Sequence, residues 1–98
     1  MALAYFWTKR ADKKFDQIIA YLQEEWGDNV AAAFVKRVYE FIGILVEFPE
    51  IGKVEHQEKD IRGFVIVKQI TMFYKITPKG IIILNLFDNR QGRKKRKY

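Results

Sequence analysis

Apolar residues recur through the first half of the chain at the spacing of two amphipathic helices. The first apolar stripe consists of Ala11, Phe15, Ile18, Ile19, Leu22 and Trp26. The second consists of Val30, Phe34, Val38, Phe41, Ile42 and Leu45. Gly27 ends the first helix, Asp28 or Asn29 can cap the second, and Pro49 stops the second helix. Because a link of only two or three residues is predicted between them, the pattern predicts an antiparallel hairpin of helices.

The rest of the chain carries short runs of β-branched and aromatic residues that are typical of strands. A first strand is predicted over residues 3–7, and Thr8 follows it as a candidate N-cap of the first helix. Three consecutive strands are predicted over residues 62–68, 70–77 and 81–88. The expected fold class is therefore α+β in the order β-α-α-β-β-β. An N-terminal strand and an antiparallel two-helix hairpin would pack on a small twisted antiparallel sheet.

The predicted last strand is apolar on both of its faces. One face carries Ile81, Ile83 and Phe87, and the other carries Ile82, Leu84 and Leu86. One side of the sheet can pack on the helices, so the second side needs a cover that this short chain can hardly supply. The polar segment 53–60 is predicted to be a loop, with His56 facing solvent.

The positive charge is concentrated at the end of the chain. The 98 residues have a net charge of +6, from 18 basic and 12 acidic residues. Residues 90–98 hold six basic residues and no acidic one, which leaves 18 − 6 = 12 basic residues against 12 acidic ones in residues 1–89. We therefore predict one domain over 1–89 and a basic tail over 90–98. Such a tail attracts phosphate backbones or acidic proteins, and the alternative is a solvated end without a ligand.

Several classes of chemistry are excluded by residue types that the sequence lacks. The chain has no cysteine and no serine, and His56 is its one histidine. Thiolate metal sites, serine and cysteine nucleophiles and two-histidine metal sites are thereby ruled out. We expect no cofactor, no metal and no membrane partner. A chain without cysteine fits the reducing cytoplasm, where we expect this protein to act.

Phosphate chemistry stays open, because RNA cleavage through its own 2′-hydroxyl needs only a base, an acid and cations on the phosphate oxygens. Arg62 begins one predicted strand and Lys68 ends it. Arg90 follows the last strand and Tyr98 closes the chain, so these four groups could converge at a sheet edge. One alternative is that strand-end lysines and arginines only protect the edge of the sheet. Another is a binding module that holds RNA or DNA.

Six short motifs follow one another along the chain. They are Tyr5-Phe-Trp-Thr-Lys-Arg-Ala11, Tyr21-Leu-Gln-Glu-Glu-Trp-Gly27, Phe48-Pro-Glu-Ile-Gly52, Arg62, Met72-Phe-Tyr-Lys-Ile76 and Leu86-Phe-Asp-Asn-Arg-Gln91. In this order they resemble the RelE/ParE superfamily of bacterial toxins, over nearly the whole chain. The resemblance implies a cognate antitoxin that wraps over the toxin and covers the second side of the sheet. Operator DNA would be bound only through the antitoxin complex.

The RelE-like branch of the superfamily cuts messenger RNA in the ribosome, and the resemblance carries its roles onto named residues. Arg62 would orient the phosphate, Arg90 would stabilise the transition-state charge, and Lys68 or Tyr98 would move a proton. The residues expected to dock on ribosomal RNA are Arg93, Lys94, Lys95, Arg96 and Lys97.

One position departs from the nuclease pattern. Several relatives carry a histidine in the last strand where this chain has Asp88, whose negative charge repels a scissile phosphate. The ParE-like branch has no nuclease set and traps DNA gyrase in a cleavage complex. The sequence therefore predicts a toxin that acts by ribosome-dependent cleavage of messenger RNA, with gyrase poisoning as the alternative.

Overall fold

The structure is a computed structural model that describes residues 3–91 and residue 98. Its helices are α1 (Lys9–Trp26) and α2 (Asp28–Glu47). Its strands are β1 (Tyr5–Trp7), β2 (Lys53–His56), β3 (Ile61–Val67), β4 (Ile70–Thr77) and β5 (Gly80–Asp88), with 3₁₀ turns at Pro49–Ile51 and Asn89–Gln91. Neither helix in this part of the chain is long and apolar enough to cross a membrane.

The five strands form one mixed sheet in the order β1-β5-β4-β3-β2. Strands β2 to β5 pair antiparallel, whereas β1 runs parallel to β5. The predicted α+β class is confirmed, as is the predicted order of one strand, two helices and three strands, to which the structure adds β2 between α2 and β3.

Two features of the sheet differ from the sequence prediction. β1 is parallel to its neighbour, because it joins the sheet beside the last strand and not beside the next one in sequence. The segment predicted as a polar loop contains β2, in which His56 is half-buried. Charged residues in this short edge strand hide the alternation that marks a strand in sequence.

The helical hairpin is fixed by a cap at its start and a glycine at its link. The Thr8 hydroxyl accepts a hydrogen bond from the Ala11 N–H at 3.0 Å and donates to the Leu84 carbonyl at 3.1 Å. Thr8 thus caps α1 and ties it to β5. Gly27 has a φ of +94°, which favours glycine, and its N–H closes α1 on the Gln23 carbonyl. The predicted hairpin of helices is confirmed, with a link of one residue.

The main hydrophobic core lies between the helices and the side of the sheet that faces them, here called the helix side. It includes Phe15, Phe34, Val38, Phe41, Ile42, Leu45, Met72, Tyr74, Ile81, Ile83 and Leu86. Phe41 stacks on Phe64 with ring centroids 4.4 Å apart, and Trp7 stacks on Phe15 at 4.9 Å. The shared side predicted for Ile70, Met72, Tyr74 and Ile76 is confirmed.

A smaller apolar cluster lies on the opposite side of the sheet, here called the second side. Its buried members are Ile61, Phe73 and Phe87, and Leu84 and Tyr98 pack against them. The register between β4 and β5 shifts between Phe73 and Tyr74. Because this bulge inserts one residue into β5, the side chains beyond it exchange sides, so the predicted placement of Phe87 beside Ile81 and of Leu86 opposite it is wrong.

Candidate functional site

Arg62 holds a turn on the helix side of the sheet. It pairs across the strands with the buried Tyr74. One guanidinium nitrogen donates hydrogen bonds to the Gly52 carbonyl at 3.0 Å and to the Glu50 carbonyl at 3.2 Å. Both hydrogen bonds of the Arg62 guanidinium are therefore to the main chain. One acceptor lies within the Pro49–Ile51 turn, and the other is Gly52, which follows it.

Tyr74 binds the same turn through its side-chain hydroxyl. Its hydroxyl donates to the Pro49 carbonyl at 2.7 Å and accepts from the Gly52 N–H at 2.8 Å. Burial raises the pKa of the Tyr74 hydroxyl, and the hydrogen bond from Gly52 opposes that rise. A methyl group at Gly52 would lie 2.5 Å from the Tyr74 hydroxyl oxygen, so only glycine lets the turn approach the ring so closely. We call Arg62, Tyr74 and Gly52 the turn clamp.

Arg90 lies in the 3₁₀ turn after β5 and binds Asp88. Its Nη2 lies 2.6 Å from one carboxylate oxygen, and its Nε lies 3.0 and 3.1 Å from the two oxygens. The hydrogen bond from Arg90 lowers the pKa of the Asp88 carboxyl. The Arg90 side chain remains 65% exposed, so this pair lies at the surface. Asp88, which departs from the nuclease pattern, thus neutralises the arginine expected to act there.

The Asp88–Arg90 pair stands at the mouth of a groove of about 480 Å³ between the helices and the β3–β4 end of the sheet. We call it the α1 groove. Its apolar lining is Ile18, Leu22, Trp26, Val30, Phe34, Val67 and Ile70, and its polar lining is Lys14, Gln17, Tyr21, Gln69, Asp88 and Arg90. Trp26 is 68% exposed, which is far above the usual exposure of a tryptophan. An exposed apolar groove of this kind marks an interaction site.

Lys68 and Arg90 share one end of the strands, and Arg62 lies toward the other. Lys68 is exposed in the turn between β3 and β4. The Asn89 N–H donates to the Gln69 carbonyl at 2.7 Å, which joins this turn to the start of the 3₁₀ turn that carries Arg90. Along β4 the partner of Asp88 is Ile70 and the partner of Arg62 is Tyr74, four residues further on. Asp88 and Arg62 are therefore separated by about 13 Å along the strands, and Arg90 follows Asp88 in the 3₁₀ turn beyond the end of β5.

Tyr98 lies on the second side of the sheet. Its ring makes edge contacts with Phe73, at a centroid distance of 4.7 Å, and with His56, at 5.8 Å. Arg62, by contrast, points to the helix side. The structure therefore does not assemble the four predicted catalytic groups at one place. The predicted RNA-docking residues 93–97 lie outside the described residues.

Sequence reasoning missed one feature on each side of the sheet. The contact of His56 with Tyr98 joins residues 42 positions apart, and only the pairing of β2 with β3 places His56 beside the second-side cluster. The α1 groove had a signal in the sequence, because Trp26 stands at the end of a helix stripe that Gly27 terminates. The pattern alone assigned Trp26 to the core.

This fold is found in chains of known toxin–antitoxin structures. A chain of the chromosomal ParDE toxin–antitoxin system from P. aeruginosa aligns with a TM-score of 0.75 and 17% identity, over 89% of this chain and 96% of that chain. A chain of the E. coli DinJ–YafQ toxin–antitoxin complex aligns with a TM-score of 0.61 and 10% identity, over 93% of this chain and 97% of that chain. No curated protein sequence matches significantly. At these identities the likeness establishes the fold alone.

The family is established by the sequence itself. The model of the ParE toxin of the type II toxin–antitoxin system, parDE, matches residues 5–92. The chain therefore belongs to the ParE toxin family within the RelE/ParE superfamily, as the motifs predicted. It is the toxin of a type II toxin–antitoxin system, and its family implies a cognate antitoxin as partner.

Proposed function

We propose that this toxin stops growth as a poison of DNA gyrase and does not cut messenger RNA. The observation that carries the proposal is the separation of the cationic groups that a nuclease would have to bring together. Arg62 is bound to the carbonyls of Glu50 and Gly52, and Arg90 is bound to the carboxylate of Asp88. Membership of the ParE family supports the same branch.

The charges around Arg90 weigh against phosphoryl chemistry at that point. Stabilisation of a transition state requires donors that are preorganised and aimed at the developing charge. Three side-chain hydrogen bonds of Arg90 are aimed at Asp88, at distances of 2.6 to 3.1 Å. A phosphate would have to displace this carboxylate, whose lowered pKa keeps it ionised at neutral pH.

The α1 groove is where we propose that the antitoxin binds. Antitoxins of the superfamily wrap a segment over the toxin, and an amphipathic segment would bury Trp26 and Val30, which are 68% and 43% exposed. Lys14, which also lines the groove, would attract an acidic residue of that segment. Binding there would also cover the Asp88–Arg90 pair.

Ribosome-dependent cleavage of messenger RNA is the second candidate, and one observation favours it. The second side of the sheet brings the His56 and Tyr98 rings together, and both residue types can transfer protons. In that case Tyr98 moves the proton, Arg62 and Arg90 act on the phosphate, Lys68 assists, and residues 93–97 dock on ribosomal RNA. This candidate requires Arg90 to leave Asp88 on the ribosome.

One pair of assays tests the proposal. Purified toxin is incubated with gyrase, ATP and supercoiled plasmid, and the reaction is stopped with detergent and protease. The same toxin is added to a reconstituted translation reaction, and the message is mapped by primer extension. We expect linear plasmid and an intact message. Discrete ribosome-dependent cuts, with the plasmid left unbroken, would overturn the gyrase proposal.

Matched variants assign the activity to residues. Under the nuclease candidate, Arg90→Ala and Tyr98→Phe abolish the cuts, whereas Lys79→Ala, in the exposed turn between β4 and β5, leaves them unchanged. Under the gyrase proposal, His56→Gln and Tyr98→Phe leave plasmid linearisation unchanged. Circular dichroism of each variant verifies that it is folded.

A further inference from the structure

The sheet has two open edges, and they differ in how they are protected. The edge strand β2 carries the charged residues Lys53 and Glu55, and its register shifts between Val54 and His56. Charges and bulges are the usual devices that keep an edge from pairing with another chain. The edge strand β1 is Tyr-Phe-Trp, without a charge, and its register with β5 is regular.

The main chain of β1 exposes a complete set of pairing groups. The Thr8 N–H donates to the Ile83 carbonyl, and the Ala4 carbonyl accepts from the Ile81 N–H. Phe6, which aligns with Ile82, lies between these two bonds, so its own N–H and C=O groups point toward β5. The N–H and C=O groups of Tyr5 and Trp7 therefore point away from β5, to the side where the described chain adds no further strand.

The side chains of β1 are also exposed on both sides of the sheet. Phe6 is 47% exposed on the second side, beside Ile82. Tyr5 is 39% exposed on the helix side, beside Ile81, and Trp7 is half-buried there against Phe15. A strand that pairs with this edge must therefore present aromatic or aliphatic side chains on both faces and no charge.

We propose that the partner of this edge is a second copy of the toxin, paired antiparallel through β1. β1 itself meets this requirement, because its side chains are aromatic on both faces of the sheet and carry no charge. With Phe6 on the two-fold axis, Tyr5 of one copy lies opposite Trp7 of the other. All four outward groups then form hydrogen bonds, two at each Tyr5–Trp7 pair. The two sheets become one continuous sheet of ten strands.

Side-chain pairing favours this register. A two-fold axis perpendicular to the sheet keeps the helices of both copies on one side. Phe6 meets Phe6 of the second copy on the second side, and Tyr5 meets Trp7 of the second copy on the helix side. Cross-strand aromatic pairs are among the favourable pairs in antiparallel sheets. Because β1 has only three residues, the dimer is weak and forms at high toxin concentration.

A single cysteine tests the register, because the natural chain contains no cysteine. Phe6 occupies a non-hydrogen-bonded pair with itself, where the Cα atoms are about 4.5 Å apart and a disulfide can form. We expect Phe6→Cys toxin to give a disulfide-linked dimer under mild oxidation. Tyr5→Cys is the matched control, since its equivalent in the second copy lies opposite Trp7 and out of reach. We expect Phe6→Cys to cross-link at least about tenfold faster than Tyr5→Cys.

Sedimentation of the unmodified toxin gives a second measurement that needs no cysteine. We expect the mean mass to rise toward that of a dimer with increasing concentration. Phe6→Lys places like charges on the two-fold axis and is expected to abolish that rise, whereas Val65→Lys, exposed on the second side away from β1, is expected to retain it. Equal cross-linking of the two cysteine variants, or a monomer at every concentration, would overturn the proposal. Both measurements are independent of whether gyrase is the target.

Discussion

The two arginines that the sequence placed at strand ends have opposite roles in the folded chain. Arg62 is half-buried and bound to main-chain carbonyls of a turn, together with Tyr74. Arg90 is 65% exposed and bound to one surface carboxylate at the mouth of the α1 groove. The turn clamp therefore contributes to stability, whereas the Asp88–Arg90 pair is available to a partner.

The comparison teaches that a cation's sequence position does not reveal what it binds. Arg62 lies at the start of β3 and Arg90 follows β5, and the sequence predicted that both act on a phosphate. Arg62 is committed to the fold because α2 and the turn after it return across its strand. Replacing each arginine in turn therefore distinguishes a role in the stability of the fold from a role at the surface.

The largest loss of stability is expected from Arg62→Ala. The substitution removes two hydrogen bonds from a charged donor and leaves the Glu50 and Gly52 carbonyls without that partner. We expect the free energy of unfolding to fall by about 3 kcal/mol, measured by urea denaturation. Lys68→Ala, in an exposed turn, is the control and should leave it nearly unchanged. Equal stability of the two variants would show that the turn does not depend on Arg62.

Tyr74→Phe tests the other half of the turn clamp. It removes the hydroxyl that bonds to Pro49 and Gly52 while keeping the ring in the core. We expect a loss of about 2 kcal/mol, because a buried N–H is left without its partner.

The fall in stability at alkaline pH gives an independent measure of what the Tyr74 hydroxyl contributes to stability. Burial raises the pKa of Tyr74 above its unfolded value, so its contribution is complete below about pH 10 and is lost as the pH rises through the folded pKa. Wild-type stability should therefore fall more steeply above pH 10 than that of Tyr74→Phe. Parallel alkaline limbs would contradict this assignment.

Gly52→Ala and Gly43→Ala are expected to change stability in opposite directions. A Cβ at Gly52 would press on the Tyr74 hydroxyl and ring, at 2.5 and 2.8 Å, which should cost about 1–2 kcal/mol. A Cβ at Gly43 meets nothing within 4 Å, and the residue lies inside α2, so alanine should stabilise the helix by about 0.5–1 kcal/mol. Thermal denaturation of both variants measures the contrast. A loss of stability in both would show that helix propensity does not decide the result at Gly43.

The smallest stability effect is expected from Arg90→Ala. Its one ion pair is at the surface, so urea denaturation at neutral pH should barely distinguish the variant from the wild type. The pKa of Asp88 is lowered in the folded chain, so the pair's contribution is present above about pH 4 and is lost as the pH falls below it. Arg90→Ala should therefore flatten the acid limb slightly. A large loss of stability at pH 7 would remove the contrast with Arg62.

The helices and four of the five strands could be read from the sequence, because their signals are local. The stripes of α1 and α2, the cap at Thr8 and the end at Gly27 each depend on residues within a few positions of one another. The class of toxin could also be read, because motifs survive in order where identity to solved structures is only 10–17%.

The tertiary structure alone decided which strands pair and which side chains meet. β1 pairs with β5 across a sequence separation of 76 residues, a bulge reverses the sides of Leu86 and Phe87, and Tyr98 reaches His56 across the second side. None of these contacts leaves a periodic trace, because each depends on how distant segments pack and not on neighbours in sequence. The sequence by itself determined the elements and the family. Packing decided that Arg62 clamps a turn and that Arg90 faces a groove.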